Sequence, residues 1–269
     1  MSDREAIILA IVQGLTEFLP VSSSGHLVLL QNWWGQLDDS NLLFDVMLHC
    51  ATLAAIVLYF RHDLLALGYG LLGRSVNQPS VFAGAERRTI GYVVLASIPT
   101  AFIGLGIESL GIEVFGRPDI VGFLLIITGL VLWIGRADRA SKGIHEMTPK
   151  HALVIGIVQG LAVLPGVSRS GSTIAGSLML GLDRELAVRF SLLISIPAIL
   201  GATLLEMTKA FDHMNVALGT VLIGMVTAGV VGYASISLIL RLVQQDRFYL
   251  FAYYLWPVGL AAILWSYLG

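Results

Sequence analysis

The sequence predicts an all-α polytopic membrane protein, with six transmembrane helices and two re-entrant helical hairpins that form an inverted repeat. Three observations predict this fold class. Of the 269 residues, 56% are hydrophobic and only 13% are charged, whereas soluble domains carry about 25% charged residues. Apolar segments of membrane-spanning length recur along the chain. A segment rich in glycine and serine also occurs twice, 146 residues apart.

Six segments are long and apolar enough to cross a bilayer, because a helix needs about 20 residues to span a hydrocarbon core of ~30 Å. They are approximately 42–60, 89–107, 120–135, 186–205, 214–240 and 248–268. No polar linker separates them. We therefore predict a single integral membrane domain over residues 1–269, with the first inverted repeat at 1–146 and the second at 147–269.

Two further apolar segments, 6–19 and 152–164, are too short to cross the membrane. Each ends at a proline, Pro20 or Pro165, and continues through serine and glycine into another short apolar stretch. This pattern predicts a re-entrant hairpin, because irregular backbone at membrane depth persists only where it is buried in protein or lines a wet cavity. A signal peptide is the alternative for the first segment, but its acidic start disfavours that interpretation.

The two hairpins are copies of one motif. AIVQGLTEFLPVSSSG begins at Ala10 and GIVQGLAVLPGVSRSG begins at Gly156. Three predicted spans separate the copies, so the second is inverted relative to the first. If each hairpin returns to the side it comes from, twelve of the sixteen Lys and Arg residues lie on one side and three on the other. The positive-inside rule then places the basic loops in the cytoplasm and both termini outside. Hairpins that span the membrane would mix the basic loops between the sides.

The polar side chains of the hairpins are expected to meet near the middle of the membrane, as broken helices do in transporters. Each serine cluster precedes a second half-helix, so Ser22 and Ser24 can cap a helix whose free N–H groups face the site. Two helix N-termini that converge on one point favour an anion, most often phosphate. Arg169 adds a planar donor group suited to two phosphoryl oxygens. The structural alternative is a simple buried ion pair between Arg169 and Glu17.

Glu17 implies a cation at this site, because a carboxylate would otherwise repel a bound anion. Gln13 and Glu17 lie one helical turn apart and share a face. Their oxygens, together with those of a diphosphate, suit Mg²⁺ or Ca²⁺. His26 lies across the turn and is a candidate nucleophile or general base. Asp45 and His49, one turn apart near the outer end of a predicted span, could line the entrance to the site, but we expect them to anchor the membrane interface instead.

Residues 13–26, QGLTEFLPVSSSGH, and residues 165–176, PGVSRSGSTIAG, resemble the two signature motifs of the bacterial undecaprenyl-diphosphatase family. This integral membrane family is linked to bacitracin resistance. The resemblance covers the whole chain in length and layout, including FDVMLHCATLAA from Phe44 and SLLISIPAI from Ser191. The first motif of the family has the form E/Q-x-x-x-E, which Gln13 and Glu17 match.

The resemblance implies hydrolysis of undecaprenyl diphosphate to undecaprenyl phosphate and inorganic phosphate, at the outer face of the bacterial inner membrane and with a divalent cation. This reaction recycles the lipid carrier of peptidoglycan synthesis. The family's essential histidine corresponds to His26 and its catalytic serine to Ser23. Its phosphate-binding motif corresponds to Ser168, Arg169, Ser170 and Thr173. The resemblance leaves open whether Ser23 or His26 is the nucleophile.

Other classes of function fit the sequence less well. A net charge of −2 gives no basis for nucleic-acid binding, and the single cysteine, Cys50, cannot form an internal disulfide. The main alternative is a secondary transporter or lipid flippase, because inverted repeats with broken helices are typical of transporters. The expected partners are a lipid diphosphate and membrane lipids, and a homodimer is compatible with the sequence.

Overall fold

The computed structural model describes residues 1–35, 42–74, 80–109, 117–136, 141–210 and 217–268. Within these ranges the regular secondary structure is helical, apart from one isolated β-bridge between Lys142 and Leu182. The helices are α1 (Asp3–Phe18), α2 (Ser23–Trp33), α3 (Leu42–Tyr59), α4 (Arg61–Leu71), α5 (Glu86–Ser109), α6 (Pro118–Ile134), α7 (Pro149–Leu161), α8 (Arg169–Met179), α9 (Arg184–Ala210), α10 (Leu218–Gln244) and α11 (Ala252–Leu268). The predicted all-α class is confirmed for the part of the chain that the structure describes.

Four helices are long and apolar enough to cross a membrane: α5, α9, α10, and α11 together with the 3₁₀ turn Phe248–Phe251 before it. Helices α3 and α4 together form a fifth candidate, bent by 70° where they meet at Phe60. Helix α6 is apolar but has only 17 residues. The chain is therefore a multi-pass membrane protein. Each predicted span overlaps a helix, although residues 214–216 lie outside the described ranges, and the count of six spans remains a prediction.

Two helix pairs occupy the positions of the predicted hairpins: α1 with α2, and α7 with α8. Both second helices begin with the same cap. The hydroxyl of Ser22 accepts a hydrogen bond from the N–H of Gly25 at 3.3 Å, and that of Ser168 accepts one from the N–H of Gly171 at 3.1 Å. The repeated motif thus folds into the same local structure twice. That the two pairs enter the membrane from opposite sides remains a prediction.

Glycines allow the first helix of each pair to pack closely on a spanning helix. A Cβ atom added at Gly14 would lie 2.8 Å from the carbonyl oxygen of Ala228 on α10. A Cβ atom at Gly156 would lie 2.2 Å from the carbonyl oxygen of Ala96 on α5. Close backbone approach through small residues is the usual way in which membrane helices associate. These contacts fix the helices that carry the two polar turns.

Replacing Gly156 with alanine should destabilise the protein, because the new methyl group would press on the backbone of α5 at Ala96. Overpacking of this kind costs about 1 to 3 kcal/mol, so the melting temperature in detergent should fall. Gly91→Ala is the matched control, since nothing lies within 4 Å of the Cβ position there. Equal melting temperatures for the two variants would contradict the close packing of α7 on α5.

Candidate active site

The turns of the two helix pairs contact each other directly. The hydroxyl of Ser22, which caps α2, also accepts a hydrogen bond from the N–H of Gly166 in the second turn at 3.0 Å. In return, the hydroxyl of Ser170 donates to the carbonyl oxygen of Leu19 in the first turn at 3.1 Å. A Cβ atom at Gly25 would lie only 3.0 Å from the backbone of Gly166. The structure therefore brings the two motifs together at one point.

Ser22 has a strained backbone at this junction. Its φ is 69° and its ψ is 97°. Residues other than glycine rarely adopt a positive φ. Such a conformation costs of order 1 to 3 kcal/mol and persists only where surrounding contacts hold it. Here the two hydrogen bonds accepted by the Ser22 hydroxyl hold it, and only the first of them, the helix cap, was predicted from the sequence.

Glu17 and Arg169 form a buried ion pair between the two turns. The Nη2 atom of Arg169 donates to Oε1 of Glu17, and the side chains are only 18% and 4% exposed, respectively. The other terminal nitrogen of Arg169, Nη1, is buried and has no hydrogen-bond partner in the described structure. Buried polar groups are normally paired. An unpaired guanidinium N–H beside two capped helix N-termini is therefore placed to bind an oxyanion.

Three further side chains lie close to the second carboxylate oxygen of Glu17, Oε2. The hydroxyl of Ser23 donates to Oε2 at 2.6 Å, and Nε2 of Gln13 donates to the same oxygen at 3.0 Å. Nε2 of His49 lies 3.7 Å away. A hydroxyl held by a carboxylate at this distance has the geometry of a nucleophile with its general base.

His49 corrects one expectation from the sequence. We expected Asp45 and His49 to anchor the interface, but α3 turns His49 towards Glu17 and into the site. Its Nδ1 atom donates to the backbone oxygen of Asp45 at 2.9 Å, while the carboxylate of Asp45 accepts two hydrogen bonds from Gln31. Glu206 on α9 also interacts electrostatically with Asp45 and His49. Ionisable residues inside an apolar span are usually functional, and this signal could have identified His49.

His26 has partners other than Ser23. Its Nδ1 atom donates to the backbone oxygen of Ser22 at 2.8 Å, and its Nε2 atom lies 2.9 Å from the hydroxyl of Tyr254 on α11. The two rings are stacked, with centroids 5.7 Å apart. With Nδ1 protonated, Nε2 accepts the hydrogen bond from Tyr254. The sequence reasoning missed Tyr254, which carries no motif of its own.

The hydroxyl groups of the second motif are largely committed to the backbone. Ser168 caps α8, and its own N–H donates to the hydroxyl of Thr128 on α6 at 3.1 Å. The hydroxyl of Thr173 donates to the carbonyl oxygen of Arg169 at 2.8 Å. Ser24 lies at the first turn with its hydroxyl 3.5 Å from that of Ser22. We also predicted direct contacts with phosphate for five hydroxyl groups, and these remain predictions: Ser22, Ser24, Ser168, Ser170 and Thr173.

Few side-chain oxygens in the site are available to bind a cation. Within the described residues, no group of three or more His, Cys, Asp and Glu side chains is arranged to hold a metal ion. The amide oxygen of Gln13, however, is buried without a hydrogen-bond partner beside the carboxylate of Glu17. Mg²⁺ is commonly held by one or two protein oxygens together with substrate phosphates. Gln13 and Glu17 therefore fit a site that the substrate itself would complete.

The fold and the site define a class of protein: a polytopic membrane protein with a buried, charged site between two serine-capped helix pairs. Comparison with known proteins identifies the family. The sequence profile of the bacitracin resistance protein BacA matches residues 6–261, and the chain belongs to the BacA family.

Several curated relatives cover nearly the whole chain. A protein of Desulfosudis oleivorans is 46% identical and covers 98% of both chains. Proteins of Desulfatibacillum aliphaticivorans and Methanobrevibacter smithii are 39% and 37% identical, each with 97% of both chains covered. All three are named undecaprenyl-diphosphatase. The resemblance inferred from the two motifs is therefore confirmed at the level of the family.

Proposed function

We propose that this protein is an undecaprenyl-diphosphate phosphatase, which hydrolyses undecaprenyl diphosphate to undecaprenyl phosphate and inorganic phosphate. The observation that carries the proposal is the buried cluster of Ser23, Glu17 and Arg169, in which a hydroxyl faces a carboxylate and a guanidinium has a free donor. Family membership and the names of the relatives support the same reaction. The reaction returns the lipid carrier to peptidoglycan synthesis and confers bacitracin resistance.

In the mechanism that the geometry favours, Ser23 is the nucleophile. Its Oγ attacks the terminal phosphorus while its proton passes to Oε2 of Glu17, which already accepts its hydrogen bond. The bond from phosphorus to the bridging oxygen breaks, and the electron pair leaves with the lipid monophosphate. Water then hydrolyses the phosphoserine and releases inorganic phosphate. This order uses a hydroxyl of the site that already donates to a carboxylate.

Arg169 and the helix N-termini stabilise the charge that develops on the transferring phosphoryl group. The Nη1 atom of Arg169 is free to bind a nonbridging oxygen, while Nη2 remains on Glu17. His26 lies at the edge of the same cluster, bound to Ser22 and Tyr254. We assign it to the substrate side of the site, where it is the alternative nucleophile if Ser23 is not.

We include a divalent cation, Mg²⁺ or Ca²⁺, in the proposal. Gln13 and Glu17 would hold it together with oxygens of the substrate, and the buried, unpaired amide oxygen of Gln13 supports this assignment. The ion would neutralise part of the negative charge of the diphosphate.

We further propose that the protein lies in the bacterial cell membrane with the site open to the outer side and both termini outside. The support is the unequal distribution of Lys and Arg along the sequence. A lipid diphosphate and membrane lipids are the partners that this placement requires. The transporter or flippase alternative is not favoured, because the relatives are named for hydrolysis.

Phosphate release from farnesyl or undecaprenyl diphosphate by the purified protein tests the reaction and the cation together. Wild type should release phosphate, and a chelator should reduce the rate at least about a hundredfold, restored by added Mg²⁺ or Ca²⁺. Glu17→Gln should be inactive under both conditions, because it removes the base and the carboxylate that faces Arg169. Full activity of wild type in the presence of chelator would contradict the proposed cation. If wild type released no phosphate with or without chelator, the proposed phosphatase activity would be wrong.

A further inference from the structure

An apolar groove with a volume of about 460 Å³ lies beside the site, lined by α2, by α11 and by Val12 of α1. Helix α2 lines it with His26, Leu29, Leu30 and Trp33. These positions recur at intervals of three and four residues, so they form one stripe along the helix. His26 is the one ionisable side chain among the residues that line the groove.

Helix α11 lines the opposite wall with the same spacing: Val258, Ala261, Ala262 and Trp265. The small side chains of Ala261 and Ala262 leave room between the helices. Trp265 lies seven residues after Val258, and Trp33 likewise lies seven residues after His26 on α2. Seven residues of helix extend about 10 Å. The lining residues of each helix therefore extend about 10 Å along the groove.

The groove borders the site at His26. His26 lines it and also bonds to the backbone of Ser22, the residue that joins the two turns. Tyr254 bonds to His26 and precedes Val258 by one helical turn on α11. His26 therefore belongs both to the wall of the groove and to the edge of the site, so apolar side chains begin one helical turn from it, at Leu29 and Leu30.

We infer that this groove binds the first isoprene units of the substrate's prenyl tail, next to the diphosphate. The inference rests on the proposed function and specifies how that site recognises its substrate. Three backbone bonds of an extended chain cover about 3.6 Å, so an isoprene unit, with four, covers roughly 5 Å. The groove accommodates about two units, and the remainder of the tail extends into the bilayer beyond Trp33 and Trp265.

A second cavity provides a comparison. It has a volume of about 260 Å³ and lies between α4, α5 and α9, where Leu67, Val93 and Ile196 are among its lining residues. None of its lining residues belongs to the catalytic cluster. A tail bound there would not be adjacent to a diphosphate held by Arg169, so this cavity is the location that the experiment must exclude.

Photolabelling tests where the tail lies. The probe is a farnesyl methylenediphosphonate that carries a diazirine on its second isoprene unit, which cannot be hydrolysed and so reports binding without turnover. It should label peptides that contain residues 29–33 or 258–265, and excess unlabelled farnesyl methylenediphosphonate should reduce the labelling. Labels in α4, α5 or α9 would overturn the inference. Groove labelling that persists in excess farnesyl methylenediphosphonate would also overturn it, since it would show that the groove is a surface for bulk lipid.

Filling the groove tests its effect on substrate choice. Ala261 is exposed, so Ala261→Phe adds bulk to the groove without a clash in the core. The ratio of kcat/KM for farnesyl diphosphate to that for dimethylallyl diphosphate should fall about tenfold, the effect of losing burial of roughly two methylene groups. Ala101→Phe, at an exposed alanine on α5, is the matched control. An unchanged ratio in Ala261→Phe would overturn the inference.

Failure of this inference and failure of the proposed function give different results. If wild type releases phosphate from farnesyl diphosphate but the label lies elsewhere, the phosphatase stands and the groove is wrong. If wild type releases no phosphate, the phosphatase itself is wrong. The labelling experiment then shows whether the groove binds a prenyl diphosphate at all.

Discussion

Replacing Arg169 with alanine should reduce phosphate release by about 10³-fold or more, the range found when a transition-state arginine is removed from phosphoryl-transfer enzymes. Arg169→Lys should restore little, because an ammonium cannot bind Glu17 and a phosphoryl oxygen with one planar group. The measurement is kcat with farnesyl diphosphate in detergent. Arg184→Ala is the control, since Arg184 forms a more exposed ion pair with Asp246, and such pairs contribute little.

A second comparison separates the catalytic role of Arg169 from its contribution to stability. Arg169→Ala leaves the buried carboxylate of Glu17 without its ion-pair partner, which costs about 3 to 5 kcal/mol. The double variant Glu17→Gln with Arg169→Gln removes both charges, so it should regain much of the melting temperature. It should nevertheless remain inactive. Recovery of phosphate release in the double variant would mean that the two residues form only a structural ion pair.

The sequence identified the centre of the site because its information is local and repeated. Each motif carries its own serine cap, and the pairing of Glu17 in one copy with Arg169 in the other follows once the two turns meet. Ionisable residues at membrane depth require partners, and the two hairpins contain few. The position of these two residues could therefore be predicted without knowledge of the surrounding helices.

The residues that the sequence missed depend on how helices rotate against each other. His49 reaches Glu17 because α3 turns one face towards α1, and Tyr254 reaches His26 because α11 turns one face towards α2. Both helices are apolar around most of their circumference, so the hydrophobic pattern does not fix their rotation. Thr128, which holds the second turn from α6, was missed for the same reason.

The distinction between three adjacent serines also required the structure. Ser22 adopts a positive φ and joins the two turns, while Ser23 begins α2 and bonds to Glu17. Ser24 lies beside Ser22. A run of identical side chains carries no sequence signal that separates a cap from a nucleophile, because their roles follow from the backbone angles at the turn.

Ser23→Ala should abolish turnover, with a decrease of about 10³-fold or more in kcat, as expected when a nucleophile is removed. The variant should fold normally, because Ser23 is only partly buried and Glu17 keeps its bonds to Gln13 and Arg169. In wild type, acid quenching during turnover of farnesyl diphosphate labelled with ³²P at the terminal phosphorus should trap a phosphoserine on the peptide that contains Ser23.

Thr16→Val is the matched control for loss of a hydroxyl next to the site, since the Thr16 hydroxyl donates only to the backbone oxygen of Val12. If Ser23→Ala turns over at a rate near that of wild type, and an alkaline quench traps an acid-labile label that disappears in His26→Ala, the imidazole is the nucleophile. Nε2 of His26 would then have to give up its hydrogen bond from Tyr254 to attack. On that mechanism Tyr254→Phe would accelerate phosphoryl transfer, whereas with Ser23 as nucleophile it would not. The variants Ser23→Ala, His26→Ala and Tyr254→Phe together therefore assign the attacking atom.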